Sequence, residues 1–291
     1  MNISKLARET FVLHNSHGDP IRGDLRYAEE GHKRPVVIIC HSFMAFKDWG
    51  FFPYIGEKLA EAGFAAITFN FSHNGVDGDG NRITDFNKFE SNTFSQELED
   101  LRVLVDVVAE GGVGAQVSDS NNIILLGHSR GGGIAIVHTA SDERVKRLVT
   151  WSSISTFDRW TKHQKEVWKK LGYLPLARDT TAAPLRLGLR LLHDLESHSD
   201  RLSIIDAAAR VQVPWLILHG KADVTVQSRE ASNLYAAANR STTELVLLDR
   251  VGHSYDAASP GEDNYQMLNY ILNRTIDWYH RNFTKELAWN R

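Results

Sequence analysis

The sequence predicts an α/β fold with one mostly parallel, eight-stranded sheet and helices on both faces. Three observations predict it. Short runs rich in Val, Ile and Leu recur along the chain, as in strands covered on both sides. Segments with helical spacing alternate with them, which calls for parallel strands joined by right-handed crossovers. The 291 residues, 42% apolar and 10% aromatic, suffice to bury one large core, so 1–291 is expected to form a single domain.

The elements follow in order. "TFVLHN" (10–15) and "IRGDLRYAE" (21–29) are strand-like, with the turn-rich "SHGDP" between them, and form a hairpin. "RPVVIICHS" is a nearly continuous apolar run and a buried strand. A helix follows in "FPYIGEKLAEAGF", with Pro53 near its start, Ile55, Leu59 and Ala62 on one face, and Gly63 as its stop. "AAITFNF" (65–71) is the next buried strand. Phe94, Leu98, Leu101, Val105 and Val108 then keep helical spacing behind Thr93 and Gln96, which stand as a capping box. "GGVG" (111–114) ends that helix. "NIILLGHS", "RLVTWSS" (147–153), "VPWLILHG" (213–220) and "TELVLLD" (243–249) supply the remaining strands, with helices at about 227–239 and 263–282.

Residues 154–212 are too long for an ordinary connection. They hold helical patches such as "TFDRWTKHQKEVWKKLG" and "LSIIDAAARV", and the aromatics Trp160, Trp168 and Tyr173. Residues 154–200 are therefore expected to form a helical cap, or lid, over the sheet's carboxyl edge, where open α/β sheets place their ligands.

Composition narrows the partners. A formal charge of -3 gives no basic field for nucleic acid or anionic lipid, so neither partner is expected. The start "MNISKLARETFVLHN" lacks a signal-peptide core, and no run reaches the ~18 to 20 apolar residues of a spanning helix. A cytoplasmic protein is the expectation, with monomer and homodimer both open. The lone Cys40, inside "PVVIICHSF", reads as a small core residue.

The chemistry centres on Gly127-His128-Ser129-Arg130-Gly131. This is G-x-S-x-G after a buried strand and before a helix, the context of a nucleophile elbow that lifts a serine hydroxyl above the sheet. Glycine flanks such a turn because a Cβ there meets neighbouring backbone. A serine needs a histidine to take its proton and a carboxylate to orient that histidine. Asp223 after "WLILHG" and His253 after "LVLLD" stand at later strand ends, in the order Ser129, Asp223, His253. Asp249 and Asp256 are fallback carboxylates.

With these motifs the chain resembles an α/β-hydrolase from about residue 10 to 285. More narrowly, "CHSFMAFKDWGFF" and "FNFSHNGVDGDG" resemble the branch of dienelactone-hydrolase-like proteins, cinnamoyl and feruloyl esterases and acylaminoacyl-peptidase-like serine hydrolases. The resemblance implies an oxyanion hole built from the backbone N–H groups of Phe43 and Arg130. Ser42 departs from the branch, standing where glycine follows the histidine. It is strained if that position needs positive φ, and otherwise adds a hydroxyl near the acyl site. Ser42, His128, Trp160 and Trp168 are the expected substrate contacts.

No metal or cofactor is expected. "HNSH" (14–17) and "HDLESH" (193–198) lack zinc-ligand spacing. "DGDGNRITDFNK" (77–88) has Arg82 and Lys88 where a calcium loop needs glycine and glutamate, and reads instead as a loop near the site's mouth. "GGG" (131–133) lacks the lysine of a phosphate loop and lets a helix pack close. The leading expectation is a serine esterase acting on a small-molecule ester with a small or aromatic, cinnamoyl-type acyl group. A peptidase with the same triad would need an amine-holding carboxylate, for which Glu166, Asp194 and Glu196 are candidates. A non-catalytic ligand binder on this fold is the other alternative, while a dehalogenase would need an aspartate at 129.

Overall fold

The computed structural model describes residues 5–29, 32–78, 80–176, 185–257 and 265–289. A hairpin of β1 (Leu6–His14) and β2 (Pro20–Ala28) precedes β3 (Arg34–Cys40), α1 (Phe52–Glu61) and β4 (Ala65–Phe69). Helices α2 (Phe86–Ser91) and α3 (Phe94–Ala109) lead to β5 (Ser118–His128), α4 (Arg130–Thr139) and β6 (Val145–Trp151). Next come α5 (Lys162–Leu171), the short strands β7 (Tyr173–Pro175) and β8 (Arg186–Gly188), α6 (Leu189–Ser197) and α7 (Ile204–Arg210). The chain closes with β9 (Trp215–Gly220), α8 (Arg229–Ala237), β10 (Thr243–Leu248) and α9 (Gln266–Trp289).

Eight strands form one sheet in the order β1-β2-β4-β3-β5-β6-β9-β10. β2 pairs antiparallel with both β1 and β4, and every other neighbour is parallel. The apolar runs are continuous because both faces are covered. Along β3, Val36, Ile38 and Cys40 enter the core under α3 and α4, while Val37 and Ile39 enter the core under α1 and α9. Cys40 is fully buried, and that burial pushes its thiol well above the ordinary range.

One local expectation is refined, and further elements appear. Thr93 accepts from the Gln96 N–H at 3.1 Å, but the Gln96 side chain turns to Asp19 and Ser72 instead of closing the box. A reciprocal box forms at α5, between Thr161 and Gln164. Helix α2 and the β7–β8 hairpin are additional to the predicted elements. Of the expected regions, residues 1–4 of the amino terminus, 79 in the 77–88 loop, 177–184 in the insertion and 263–264 of the last helix lie outside the described residues.

Candidate active site

The turn between β5 and α4 has one residue, Ser129, with φ 56° and ψ -117°. A non-glycine residue there carries roughly 1–3 kcal/mol of strain, so surrounding contacts must hold it. The Ser129 N–H donates to Trp151 O at 3.0 Å, and its carbonyl accepts from Gly132 and Ile154 N–H at 3.1 and 3.3 Å. The flanking glycines serve close approach. A Cβ on Gly127 would sit 2.4 Å from Gly131 O, and one on Gly131 would sit 2.2 Å from Cys40 O. The end of β3 is thereby pressed against the start of α4.

Asp223 follows β9 and His253 follows β10. His253 Nδ1 lies 2.7 Å from Asp223 Oδ2, while Asp223 Oδ1 accepts from the N–H groups of Thr225 and Val226 at 2.9 and 2.8 Å. Burial opposes ionisation of Asp223, but hydrogen bonds from His219, His253 and Val226 outweigh it and hold the carboxyl well below the usual range. An ionised Asp223 fixes the proton of His253 on Nδ1 and leaves Nε2 free to accept. The fallback Asp249 has an 80% exposed side chain paired with Lys221, and Asp256 is exposed. Neither is within the hydrogen-bonding shell of His253.

Two buried neutral histidines flank the serine. His41 donates from Nδ1 to Ser42 O at 2.9 Å, and its Nε2 accepts from Phe71 N–H at 3.3 Å. Burial pushes His41 down to about 4. His128 donates from Nε2 to His253 O at 3.0 Å. It is pushed down to about 3, by burial first and by neighbouring His253 second. In the loop after β3 the left-handed residues are Met44, at φ 62°, and Gly50, at φ 54°. Ser42 is outside that region and so escapes the strain considered for it.

A cavity of about 340 Å³ opens over Ser129 and His253. Phe43, Phe94, Phe157, Trp160, Leu187 and Val226 give it an apolar lining, and Ser42, His128 and Arg130 also reach it. The Arg130 guanidinium stacks over Phe43 at 4.0 Å and Phe94 at 5.0 Å, and donates to Glu97 at 3.1 Å. Trp168 corrects the expectation of a substrate contact. It is the buried residue of the polar helix α5, 0% exposed, packed edge-on against Trp160 at 5.1 Å and absent from the cavity lining. An amphipathic helix turns its large apolar residue inward, so Trp168 supports Trp160 from behind. The candidate amine-holding carboxylates are elsewhere too. Asp194 caps Ser95 N–H at 2.9 Å, Glu196 pairs with Lys169 at 2.8 Å, and Glu166 does not line the cavity.

The family model described as "alpha/beta hydrolase fold" matches residues 35–193, more than half of the chain. The chain belongs to this family. As an alpha/beta hydrolase it is 24% identical, over 76% of its length and 83% of the relative's, to the "Uncharacterized 31.7 kDa protein in traX-finO intergenic region" of Escherichia coli. Its fold is similar to that of Est1E from Butyrivibrio proteoclasticus with ferulic acid bound, at TM-score 0.68, 18% identity, and coverage of 94% and 99% of the two chains. It is also similar to the esterase domain of a Rhodothermus marinus protein, at TM-score 0.65, 19% identity, and coverage of 94% and 98%. Among the described residues of this hydrolase, no helix is long and apolar enough to cross a membrane.

Sequence reasoning left the supports of the site unmarked. Tyr255 is fully buried and donates to Ser152 Oγ at 2.9 Å, anchoring the His253 loop from below. Arg159 on the linker after β6 donates to both carboxylate oxygens of Glu230 on α8, at 2.6 and 2.8 Å. Spacing along the chain carries no signal for contacts this distant. The one hint is positional: His41, His128 and Tyr255 lie within two residues of Ser42, Ser129 and His253.

Proposed function

We propose that this hydrolase cleaves carboxylic esters of small or aromatic, cinnamoyl-type acids through an acyl-enzyme on Ser129. The observation that carries the reading is the 2.7 Å contact from His253 to an ionised Asp223, with His253 and the elbow serine facing one apolar cavity. Ser129 Oγ attacks the ester carbonyl as His253 Nε2 takes its proton, and Asp223 stabilises the imidazolium. The N–H groups of Phe43 and Arg130 receive the developing oxyanion. As the tetrahedral adduct collapses, the C–O bond breaks and His253 returns the proton to the leaving alcohol. Water then repeats the sequence: it attacks the acyl carbonyl, gives its proton to His253, and the acid departs as Ser129 is reprotonated.

The acyl preference rests on size and lining. A volume of 340 Å³ is at the small end for ligand sites, roughly 300–1,000 Å³, and the walls are mostly rings and branched chains. Residues 154–200 serve as the cap that supplies Phe157, Trp160 and Leu187 to those walls. The test is kcat/KM for 4-nitrophenyl acetate, methyl ferulate and an aminoacyl anilide, with Ser129→Ala as the blank. Ester turnover that vanishes in the blank supports the reading. Preference for the anilide would replace it with a peptidase, and ligand binding without turnover would replace it with a binding module.

A further inference from the structure

His128 has three roles open to it besides filling space: touching substrate, moving a proton, or holding another residue. The ring is 2% exposed, and its one hydrogen-bonding proton is committed to the carbonyl of His253 at 3.0 Å. Little of it remains for a ligand. Proton transfer is closed as well, since burial keeps the ring neutral at any ordinary pH.

Simple space-filling is a poor account too. The neighbours are rings, with Phe51 at 5.3 Å, Tyr255 at 5.8 Å and Phe52 at 6.2 Å. His128 Nδ1 is buried there with no hydrogen-bond partner among the described residues. An unsatisfied buried polar atom costs about 1–3 kcal/mol, which leucine or phenylalanine would avoid. What the imidazole adds is the bond to His253.

That bond spans the two halves of the site. Ser129 is set by the elbow, whereas His253 lies on a loop in which Arg250, Tyr255 and Asp256 all have left-handed φ, at 61°, 57° and 60°. Such a loop does not hold its shape by local preference. Val251 O, accepting from Ala222 N–H at 3.0 Å, ties it two residues before His253, and the Tyr255 hydroxyl ties it two residues after. Asp223 holds the His253 ring, and the tie to the His253 backbone comes from the residue next to the nucleophile.

We infer that His128 is a positioning residue: its Nε2–H holds the backbone of His253 and thereby sets the distance from the base to Ser129. The inference rests on the Ser129–His253 mechanism above. Misplacement by about 1 Å can cost on the order of 100-fold in rate, so His128→Leu should lower kcat for 4-nitrophenyl acetate by about 10- to 100-fold. KM should stay within about twofold, the acid limb of the kcat/KM profile should be displaced, and His128→Gln, which keeps an N–H donor, should recover most of the rate. Wild-type kcat in a folded His128→Leu protein overturns the inference. A raised KM at unchanged kcat overturns it as well, by making His128 a substrate contact.

Should His128→Leu fail to fold, nitrogen-15 spectra of the imidazoles in the intact wild-type chain decide. A neutral Nε2–H tautomer from pH 5 to 8 supports the tie, and a ring that titrates within that range overturns it. Failure of the underlying mechanism shows separately, as Ser129→Ala matching wild type in ester turnover, and the inference then falls with it.

Discussion

The elbow and the segment after β6 both line the same cavity, yet they are built on opposite principles. At the elbow, backbone meets backbone, and the sequence is constrained atom by atom: Gly127, Gly131 and Ser129 each answer a contact or a torsion. In the segment after β6, side chain meets side chain. Trp168 lies behind Trp160, Phe157 stacks on Phe94 at 4.3 Å, and Arg159 grips Glu230. Backbone contacts leave a motif in the sequence, because few residues satisfy them. Side-chain contacts leave composition alone, because many combinations fill the same space.

Substitutions at the two regions sharpen that contrast, and the largest effect belongs to the elbow. Ser129→Ala should lower kcat about a millionfold with little change in melting temperature. Ser129→Gly should be as inactive yet about 1 kcal/mol more stable, since glycine relieves the left-handed strain. Denaturant titration checks the second half: a Ser129→Gly protein no more stable than Ser129→Ala would mean that the turn is unstrained. Next comes Asp223→Asn, which removes the charge that fixes the His253 tautomer. A loss near 10,000-fold in kcat is expected, and a loss under tenfold would show that another group orients the base.

Trp168→Ala should instead act on folding, costing about 3–5 kcal/mol by opening a cavity, as read by chemical denaturation. Trp160→Ala, one layer nearer the cavity, should chiefly raise KM for methyl ferulate. If the two variants exchanged these phenotypes, Trp168 would be a substrate contact after all.

The last effect is on the pH dependence of stability and leaves the enzyme's turnover aside. His41 and His128 are depressed from 6.5 to about 4 and about 3, so their contribution is full above pH 6.5 and is lost as pH falls. Asp100 runs the other way. Burial raises it from 3.8 to about 7, so its contribution is full below 3.8 and is lost as pH rises through 7. Between about pH 6 and 4 the unfolded chain gains two imidazole protons against one held on folded Asp100. The net is about one proton, or roughly 1.4 kcal/mol of stability lost per unit of acidification. Asp100→Asn removes the opposing proton and should roughly double that slope, measured by urea titrations at pH 6.0, 5.0 and 4.0.

The same contrast governs what was legible beforehand. The inner strands were readable because a sheet covered on both faces demands unbroken apolar runs, as in Val36 to Cys40, and the first two because a turn-rich link joins them as a hairpin. Ser129, Asp223 and His253 could be singled out together because each follows such a run within a few residues: Ser129 directly after β5, Asp223 and His253 in the loops after β9 and β10. Trp168 is an aromatic of the same segment as Trp160, and residue type alone does not separate the two: Trp160 lines the cavity, while Trp168 is the buried residue of α5 behind it. The short helix α2 and the β7–β8 hairpin were missed because so few residues make no period. The role of Ser42 could not be decided from its identity, since φ is set by the loop around it. The tie from His128 to His253 joins residues 125 positions apart and has no local trace at all.

All ten residues of α4, the helix that begins at the elbow, are buried, whereas His253 lies on a loop only partly covered. Buried helices open last and surface loops first. On warming, His253 should therefore be released while Ser129 remains fixed in an intact core. Loss of catalysis would precede melting and reverse on cooling, with the temperature gap between the two events measuring how firmly that one loop is held.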